Sequence, residues 1–304
     1  MNVKDLQYAL ALERRRSFSR AAEECGVAQP TLSAQIRKLE SELGVELFER
    51  DGRTLRVTPA GELILEQARV VLDAVARIEE VAQTRADPMV GPIRLGVIPT
   101  LAPYLLPGIL GPLQKQLPAA PLVVVEDMTH RLLESIHAGR LDAALVATDH
   151  SDGNLSEIAL FEEPFSLALP HDDPLAQQAS VRVDELDPST LILLADGHCL
   201  SDQALALCGQ TGGRGLRSDL SATSLETVLN LVEAGLGTTI VPLLARTHFE
   251  SRFARIVFRP LEGLHSARLI RVIHRAFVPR RPAIERLAAT IRESALVGVA
   301  LESV

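Results

Sequence analysis

The stretch AAEECGVAQPTLSAQIRKLESELGVELFER, residues 21–50, decides how the chain begins to fold. A first helix, DLQYALALERR, sets Leu6, Ala9 and Leu10 on one face. Ser17 is placed to cap a second helix, SFSRAAEECG, which Gly26 ends as a left-handed C-cap. Three residues on, QPTLSAQIRKLESELG starts with Pro30 in its first turn, where a missing N–H costs nothing. Its apolar stripe is Leu32, Ile36, Leu39 and Leu43, and its other face offers Gln29, Thr31, Ser33, Gln35, Arg37 and Lys38. Helix, glycine turn, helix is the arrangement whose second helix enters the major groove, short polar side chains reaching base edges and Arg or Lys holding phosphates. LFERDGRTLRVTPAG then puts Arg50, Arg53 and Arg56 around the turn Asp51-Gly52, a basic two-stranded wing. The spacing alone equally fits a plain three-helix packing motif with a solvated face; the wing and the local charge favour the DNA reading.

The charge balance is uneven. The chain of 304 residues carries a net charge of −8, yet the first sixty residues hold ten Lys/Arg against nine Asp/Glu, so all the excess negative charge follows them. A locally basic head on an acidic body is expected. Hydrophobic residues at 47% and charged residues at 23% fit a soluble globular protein. No apolar run reaches the ~18–20 residues of a membrane span, and MNVKDLQYALALERRRSF has its charges on the wrong side for a secretory leader. Three cysteines make no disulfide scaffold, which points to a reducing, cytoplasmic setting in which any disulfide is transient.

From Pro59 to about Arg85 one long helix is expected, with Ile64, Ala68, Val71, Val75, Ile78 and Ala82 recurring in steps of four and three, the period of a dimerising seam. An amphipathic helix packed on its own domain is the competing reading. DPMVGP, residues 87–92, closes it as a hinge. Beyond it IRLGVIPT, LVVVEDM and LDAALVAT read as buried strands, and PYLLPGILGPLQKQL and HRLLESIHAG as the helices between them. That is the rhythm of a parallel sheet. A second set follows in LILLAD, CLSDQALALC, SLETVLNLVEAGLG and TTIVP, and LIRVIH with RPAIERLAATIRESAL finishes the chain. Three polar turns fall at strand carboxyl ends, where α/β folds place their clefts: Pro99-Thr100, Thr129-His130 and Gly197-His198-Cys199.

Two of the cysteines lie in GHCLSDQALALCG, residues 197–209. If 199–208 is helical, Cys199 and Cys208 stand about 13 Å apart, from nine steps of ~1.5 Å, on opposite faces. A disulfide needs Cα atoms within roughly 7 Å, so it cannot form while the helix exists. Cys199 at the helix start is expected to favour a thiolate, while Cys208 among apolar neighbours stays neutral. Two unrelated core cysteines are the bland alternative. Zinc on His198, Cys199 and Cys208 fits no common ligand spacing, and adjacent His198 and Cys199 seldom face each other as a nucleophilic pair. Neither metal nor cofactor is expected. Cys25 reads as a small core residue.

Residues 21–50, continued by TPAG at 58–61, resemble the N-terminal domain of the LysR-type bacterial transcriptional regulators. The resemblance implies a winged helix-turn-helix (1–58) that reads DNA with Gln29, Pro30, Thr31, Ser33 and Gln35 and holds its backbone with Arg37, Arg50 and Arg53. It implies a linker or dimerisation helix (59–88) and a two-lobed α/β regulatory domain similar to periplasmic binding proteins (89–304; lobe I about 89–162 and 268–304, lobe II about 163–267). GHCLSDQALALC, with IPTLAPYLLP (98–107), THRLL (129–133), FEEP (161–164), ATSLET (222–227) and RLIRVIHR (268–275), resembles the hydrogen-peroxide-sensing OxyR subfamily. That resemblance makes Cys199 the peroxidatic thiol and Cys208 the resolving one. Thr100, Thr129 and His198 would bind peroxide, Arg268 would stabilise the thiolate, and Asp202 and Gln203 match the segment's Asp-Gln pair. Ser201 stands where the subfamily often has a basic residue.

The expectation is then a non-enzymatic, cytoplasmic, bacterial regulator, a dimer of dimers on promoter DNA. Peroxide switches it through a Cys199–Cys208 disulfide, RNA polymerase reads the change, and a cellular thiol reductant resets it. The alternatives are a LysR-type regulator of a small organic effector with incidental cysteines, and a thiol peroxidase, for which the DNA-binding head has no purpose.

Overall fold

The computed structural model describes residues 1–51, 54–84, 87–150, 152–207, 221–295 and 302–303, with backbone alone at 50, 51, 54, 77, 79–84, 295, 302 and 303. Cys208 and Arg53 lie outside the described residues, and of Arg50 only the backbone is described. Contacts divide the chain into two units, Met1–Arg85 and Ala86–Val304.

The first unit opens with α1 (Val3–Arg15), fixed at its start by a reciprocal cap: Asn2 Oδ1 accepts from the Asp5 N–H and the Asp5 carboxylate accepts from the Asn2 N–H. α2 (Phe18–Glu24) and α3 (Gln29–Leu43) follow. Gly26 takes φ +65° between them, the conformation expected of the turn glycine. Ser17 does occupy the N-cap of α2, but its hydroxyl makes no cap hydrogen bond. Leu6, Ala9, Leu10, Ala21, Leu32, Ile36 and Leu39 form one core. β1 (Phe48–Asp51) and β2 (Thr54–Val57) pair antiparallel as the wing, and Glu40 of α3 accepts from the N–H groups of Leu47 and Phe48, tying wing to helix.

α4 (Pro59–Thr84) is the long helix, 26 residues. The expected seam divides along it. Leu65 and Ala68 are buried in the head's core and Ile64 packs against it, whereas Val71 and Ile78 are exposed. The head therefore packs on one face of about the first four turns, as far as Leu72, and Val71 and Ile78 are left on the outside.

The second unit is built on a mixed sheet. β3 (Ile93–Val97), α5 (Ala102–Gln116), β4 (Leu122–Glu126), α6 (Thr129–His137) and β5 (Ala143–Val146) give three parallel strands, as the alternation implied. β6 (Leu155–Pro170) was not legible as a strand and is the longest one. Later elements are β7 (Val181–Arg182), β8 (Leu193–Leu194), α7 (Cys199–Leu207), β9 (Ser221–Ala222), α8 (Leu225–Glu233) and β10 (Thr239–Pro242). They continue through α9 (Leu243–Phe249), β11 (Ile256–Glu262), β12 (Ala267–Arg275), α10 (Arg281–Ala295) and β13 (Glu302–Ser303). The main order is β4-β3-β5-β12-β6-β11-β7, with β10 and β13 also on β6, and β8-β9 a separate pair.

β12 pairs antiparallel with the first part of β6, and β10 and β11 with its last part, so one strand runs through both lobes. Each lobe has its own core, one around Ile93, Leu95, Leu105, Ile109, Leu145 and Leu287, the other around Phe165, Leu167, Val228, Leu229, Val241 and Phe249. Two expectations need correction. The sheet is mixed rather than parallel, because the crossover strand and its partners run antiparallel. LVVVEDM is not buried: β4 ends the strand order, and Val123, Val124 and Val125 are 45%, 38% and 40% exposed. Among the described residues no helix is long and apolar enough to cross a membrane.

Gly61 sits where α4 passes the head. A Cβ there would stand 2.3 Å from the Leu47 carbonyl oxygen, which is backbone and cannot turn aside. Gly61→Ala is therefore expected to destabilise the first unit by about 1–3 kcal/mol, the usual cost of overpacking, read as a lower denaturant midpoint at unchanged slope.

Candidate functional site

The strand ends converge as the topology implied. Ile98, Pro99 and Thr100 follow β3, Met128 and Thr129 follow β4, and Gly197, His198 and Cys199 precede or open α7; together they line one small recess. Gly197 turns the chain at φ +96°, a value that favours glycine, and so delivers His198 and Cys199 inward. Cys199 is 6% and His198 3% exposed.

Beneath the recess lies a buried ion pair. Arg268 of β12 and Glu163 of β6 are both fully buried, at 2.8 Å. The guanidinium donates also to Thr100 Oγ1 (3.0 Å) and to the Thr100 carbonyl (3.1 Å), while the second Glu163 oxygen accepts the N–H of Leu244 in α9 (2.9 Å). Glu163 is a site residue that sequence reasoning missed. Its signal was the FEEP stretch, quoted for resemblance and not as a partner for Arg268.

Burial decides the thiol's state. Desolvation pushes the Cys199 pKa up; the Arg268 charge and the Thr129 hydroxyl pull it down by less, and Asp202 adds to the rise. The expectation of a thiolate from the helix start is thus corrected. A nearly dry sulfur outweighs a helix end, and the cation beside it is already neutralised by Glu163. Asp202, named from the Asp-Gln pair, is exposed, and its charge adds to the rise in the thiol's pKa. Burial also lowers the His198 pKa, with the Thr223 backbone acting weakly the other way. The ring is neutral at pH 7 and supplies no charge to the sulfur.

Three buried polar atoms at the recess make no hydrogen bond of ordinary geometry: Thr129 Oγ1 and both ring nitrogens of His198. Buried polar groups are nearly always paired. Such a set beside a thiol matches a small molecule that both donates and accepts. A wider cleft of about 210 Å³ opens next to it, sharing Pro99, Thr100 and His198, and bounded also by Tyr104, Glu126 and Glu226. Burial, with Glu226 and Glu126 nearby, pushes the Tyr104 pKa up to about 12, so the phenol stays protonated.

α7 joins the two lobes. Cys199 packs in the first lobe's core, while Leu200, Ala204 and Leu207 pack in the second's. Ser201, read from sequence as a lost charge, is buried and donates to the Leu194 carbonyl of β8 at 2.7 Å. A cation there would have to be desolvated. Gln203 reaches across to the Ala147 carbonyl beyond β5, also at 2.7 Å.

In the head, Gln29, Pro30, Thr31 and Arg37 of α3 are exposed, and Ser33 and Gln35 half-buried. Ala28 at the N-cap supplies no side-chain cap, which leaves α3's leading N–H groups unclaimed by any side chain there. Cys25 is half-buried against the core, its thiol pKa raised first by desolvation.

Residues 3–62 match the bacterial regulatory helix-turn-helix model of the lysR family, and residues 86–296 the LysR substrate binding domain. The hydrogen peroxide-inducible genes activator of Pectobacterium carotovorum subsp. carotovorum is 42% identical over 96% of both chains. The chain belongs to the OxyR branch of the LysR family. Among solved structures, a full-length Pseudomonas aeruginosa OxyR with a cysteine-to-aspartate change is 36% identical over 96% of this chain and 100% of that one, with a TM-score of 0.63. A Corynebacterium glutamicum OxyR cysteine-to-serine mutant with H2O2 bound is 31% identical over 98% and 94%, with a TM-score of 0.68.

Two outcomes follow from these electrostatics. Glu163→Gln leaves Arg268 buried and uncompensated, which is expected to cost about 3–5 kcal/mol of stability and to move the Cys199 thiolate titration to lower pH, read by ultraviolet thiolate absorbance. Because His198 titrates lower folded than unfolded, its contribution to stability is present above the unfolded value near 6.5 and is lost as pH falls below it. His198→Asn is expected to flatten the melting temperature of the reduced protein between pH 7 and pH 5.

Proposed function

We propose that the chain is a peroxide-responsive transcriptional regulator that binds promoter DNA through α3 and the wing and switches when hydrogen peroxide oxidises Cys199. The observation that carries this reading is the set of Thr129 Oγ1 and the two His198 nitrogens, buried polar atoms with no hydrogen bond of ordinary geometry beside a buried thiol. Peroxide offers two donors and two acceptors to that set. The relative with H2O2 bound supports the choice of ligand.

The chemistry balances without a cofactor. Cys199 gives up its proton, its sulfur attacks one peroxide oxygen, the O–O bond breaks, and the departing hydroxide takes up one proton, equivalent to the one the thiol released, to leave as water. The product is a sulfenic acid. The Cys208 thiol then attacks that sulfur, the S–O bond breaks, and a second water leaves. Thr100, fixed by Arg268, and Thr129 and His198 hold the oxygens; the adjoining cleft is the route inward. Asp202 is left out of this step, since its charge opposes the thiolate.

The second attack requires α7 to unwind. Cys199 and Leu207 end a nine-residue helix, about 12 Å apart from eight steps of ~1.5 Å. One further residue reaches back at most ~3.8 Å, which leaves about 8 Å, more than the ~7 Å a disulfide tolerates. Oxidation therefore strains a helix packed in both lobe cores, and the bistable element is α7 itself. Losing it changes how the lobes, acting like a periplasmic-binding-protein clamp, set the spacing of DNA heads in a dimer of dimers. Exposed Val71 and Ile78 of α4 support the self-association. Gln29, Pro30, Thr31, Ser33 and Gln35 read bases, and Arg37, Arg50 and Arg53 hold phosphates. RNA polymerase and a cellular thiol reductant complete the cycle in the bacterial cytoplasm, where promoter DNA is. The second reading, a small organic effector, draws on the 210 Å³ cleft alone.

Cys199→Ser is expected to abolish peroxide-dependent changes in the promoter footprint while DNA binding persists; an unchanged response refutes the role. Thiol counting separates the two readings, since one equivalent of peroxide should remove two thiols here and none for an organic effector. With the Cys199 pKa raised above the ordinary value of about 8.5, the rate of sulfenic acid formation is expected to climb with pH through and beyond that value, followed by stopped-flow trapping in Cys208→Ser.

A further inference from the structure

Away from the recess, His137, His150 and Asp152 bring two imidazole nitrogens and a carboxylate oxygen within 4.8 Å of one another. They come from separate elements. His137 is the last residue of α6, and His150 and Asp152 lie on the connection between β5 and β6. We infer that these three side chains form a binding site for a divalent first-row transition metal, with zinc as its natural probe.

The donor set is the first ground. Two imidazoles and one carboxylate suit Zn2+, which accepts three protein ligands and leaves a fourth position to water. Ligands of a tetrahedral zinc at ~2.0–2.1 Å stand about 3.3 Å apart, so closing on the ion needs only about an ångström of side-chain rotation. An ordinary surface ion pair explains His137 Nε2 and Asp152 Oδ2 at 3.0 Å, but gives no reason for a third nitrogen at the same place.

Preorganisation is the second. The other Asp152 oxygen, Oδ1, accepts the N–H of Asn154 at 2.9 Å, and the Leu155 N–H binds the Asp152 carbonyl at 3.0 Å. Asn154 is in turn held by the Ala276 N–H at 2.9 Å. The carboxylate is thus fixed from behind with one oxygen presented, as outer-shell hydrogen bonds fix metal ligands. The setting also favours a cation, since the C-terminus of α6, with Ile136 and Leu133 buried beneath it, carries the negative end of the helix dipole. Nearby Arg271 is already paired with Asp149 and Glu157, so it does not repel an incoming ion at full strength.

The site is independent of the peroxide reading, and its test uses full-length, reduced, chelator-treated protein titrated with Zn2+ against a chromophoric competitor. One equivalent is expected to bind, about tenfold or more weaker in His137→Ala and His150→Ala, with unfolding curves confirming that each variant folds. Co2+ as a second probe should give nitrogen–oxygen d–d bands without thiolate charge transfer. Unchanged zinc affinity in both variants, or a cobalt spectrum dominated by thiolate, overturns the assignment. Asp152→Asn, which keeps the turn's hydrogen bond but loses the charge, should weaken binding as well; full affinity there counts against the site.

Discussion

Arg268 and Glu163 cannot leave water separately. A lone buried guanidinium or carboxylate costs several kcal/mol, and the pair is tolerable only because each of its side-chain nitrogens and oxygens has a hydrogen-bond partner. The consequence is rigid geometry: Arg268 locks Thr100 at the end of β3, and Glu163 locks the start of α9 in the other lobe. The floor of the recess is therefore set by one charge pair that spans β6 and β12, and the two lobes meet on it. The same neutralisation keeps the arginine from lowering the thiol's pKa as far as a free cation would, so the cysteine rests as a protonated, protected group.

α7 is the complementary element, held by small interactions from both sides. Cys199 belongs to one core and Leu200, Ala204 and Leu207 to the other, while Ser201 and Gln203 add single hydrogen bonds to β8 and to the chain beyond β5. A helix of nine residues has little stability of its own, and its packing carries it. An element assembled this way holds its shape while its first residue is a thiol and has a reason to leave when that residue becomes an acid or a disulfide. A stable floor and a releasable helix are what a chemical switch requires.

Much of this was legible from the residues alone. The stripe Leu32, Ile36 and Leu39, the turn glycine Gly26 and the two-stranded wing after α3 follow local periodicity and turn chemistry. So do α5, α6, α8 and α10. β6 was missed because Glu162, Glu163 and Pro164 interrupt its apolar run and imitate a turn; only the partner on β12 makes Glu163 a core residue. The exposure of Val123, Val124 and Val125 was missed because an edge strand and a central strand can share one composition.

Sequence by itself determined the list of parts: a helix-turn-helix with a wing, a long helix, an α/β body, and two cysteines nine positions apart. These are set by interactions reaching four residues along the chain, which a pattern records. The protonation of Cys199, the neutrality of His198, the partner of Arg268 and the meeting of His137 with His150 and Asp152 were decided by tertiary structure. Desolvation and long-range pairing depend on which distant segments close over a group, and no local pattern carries that distance.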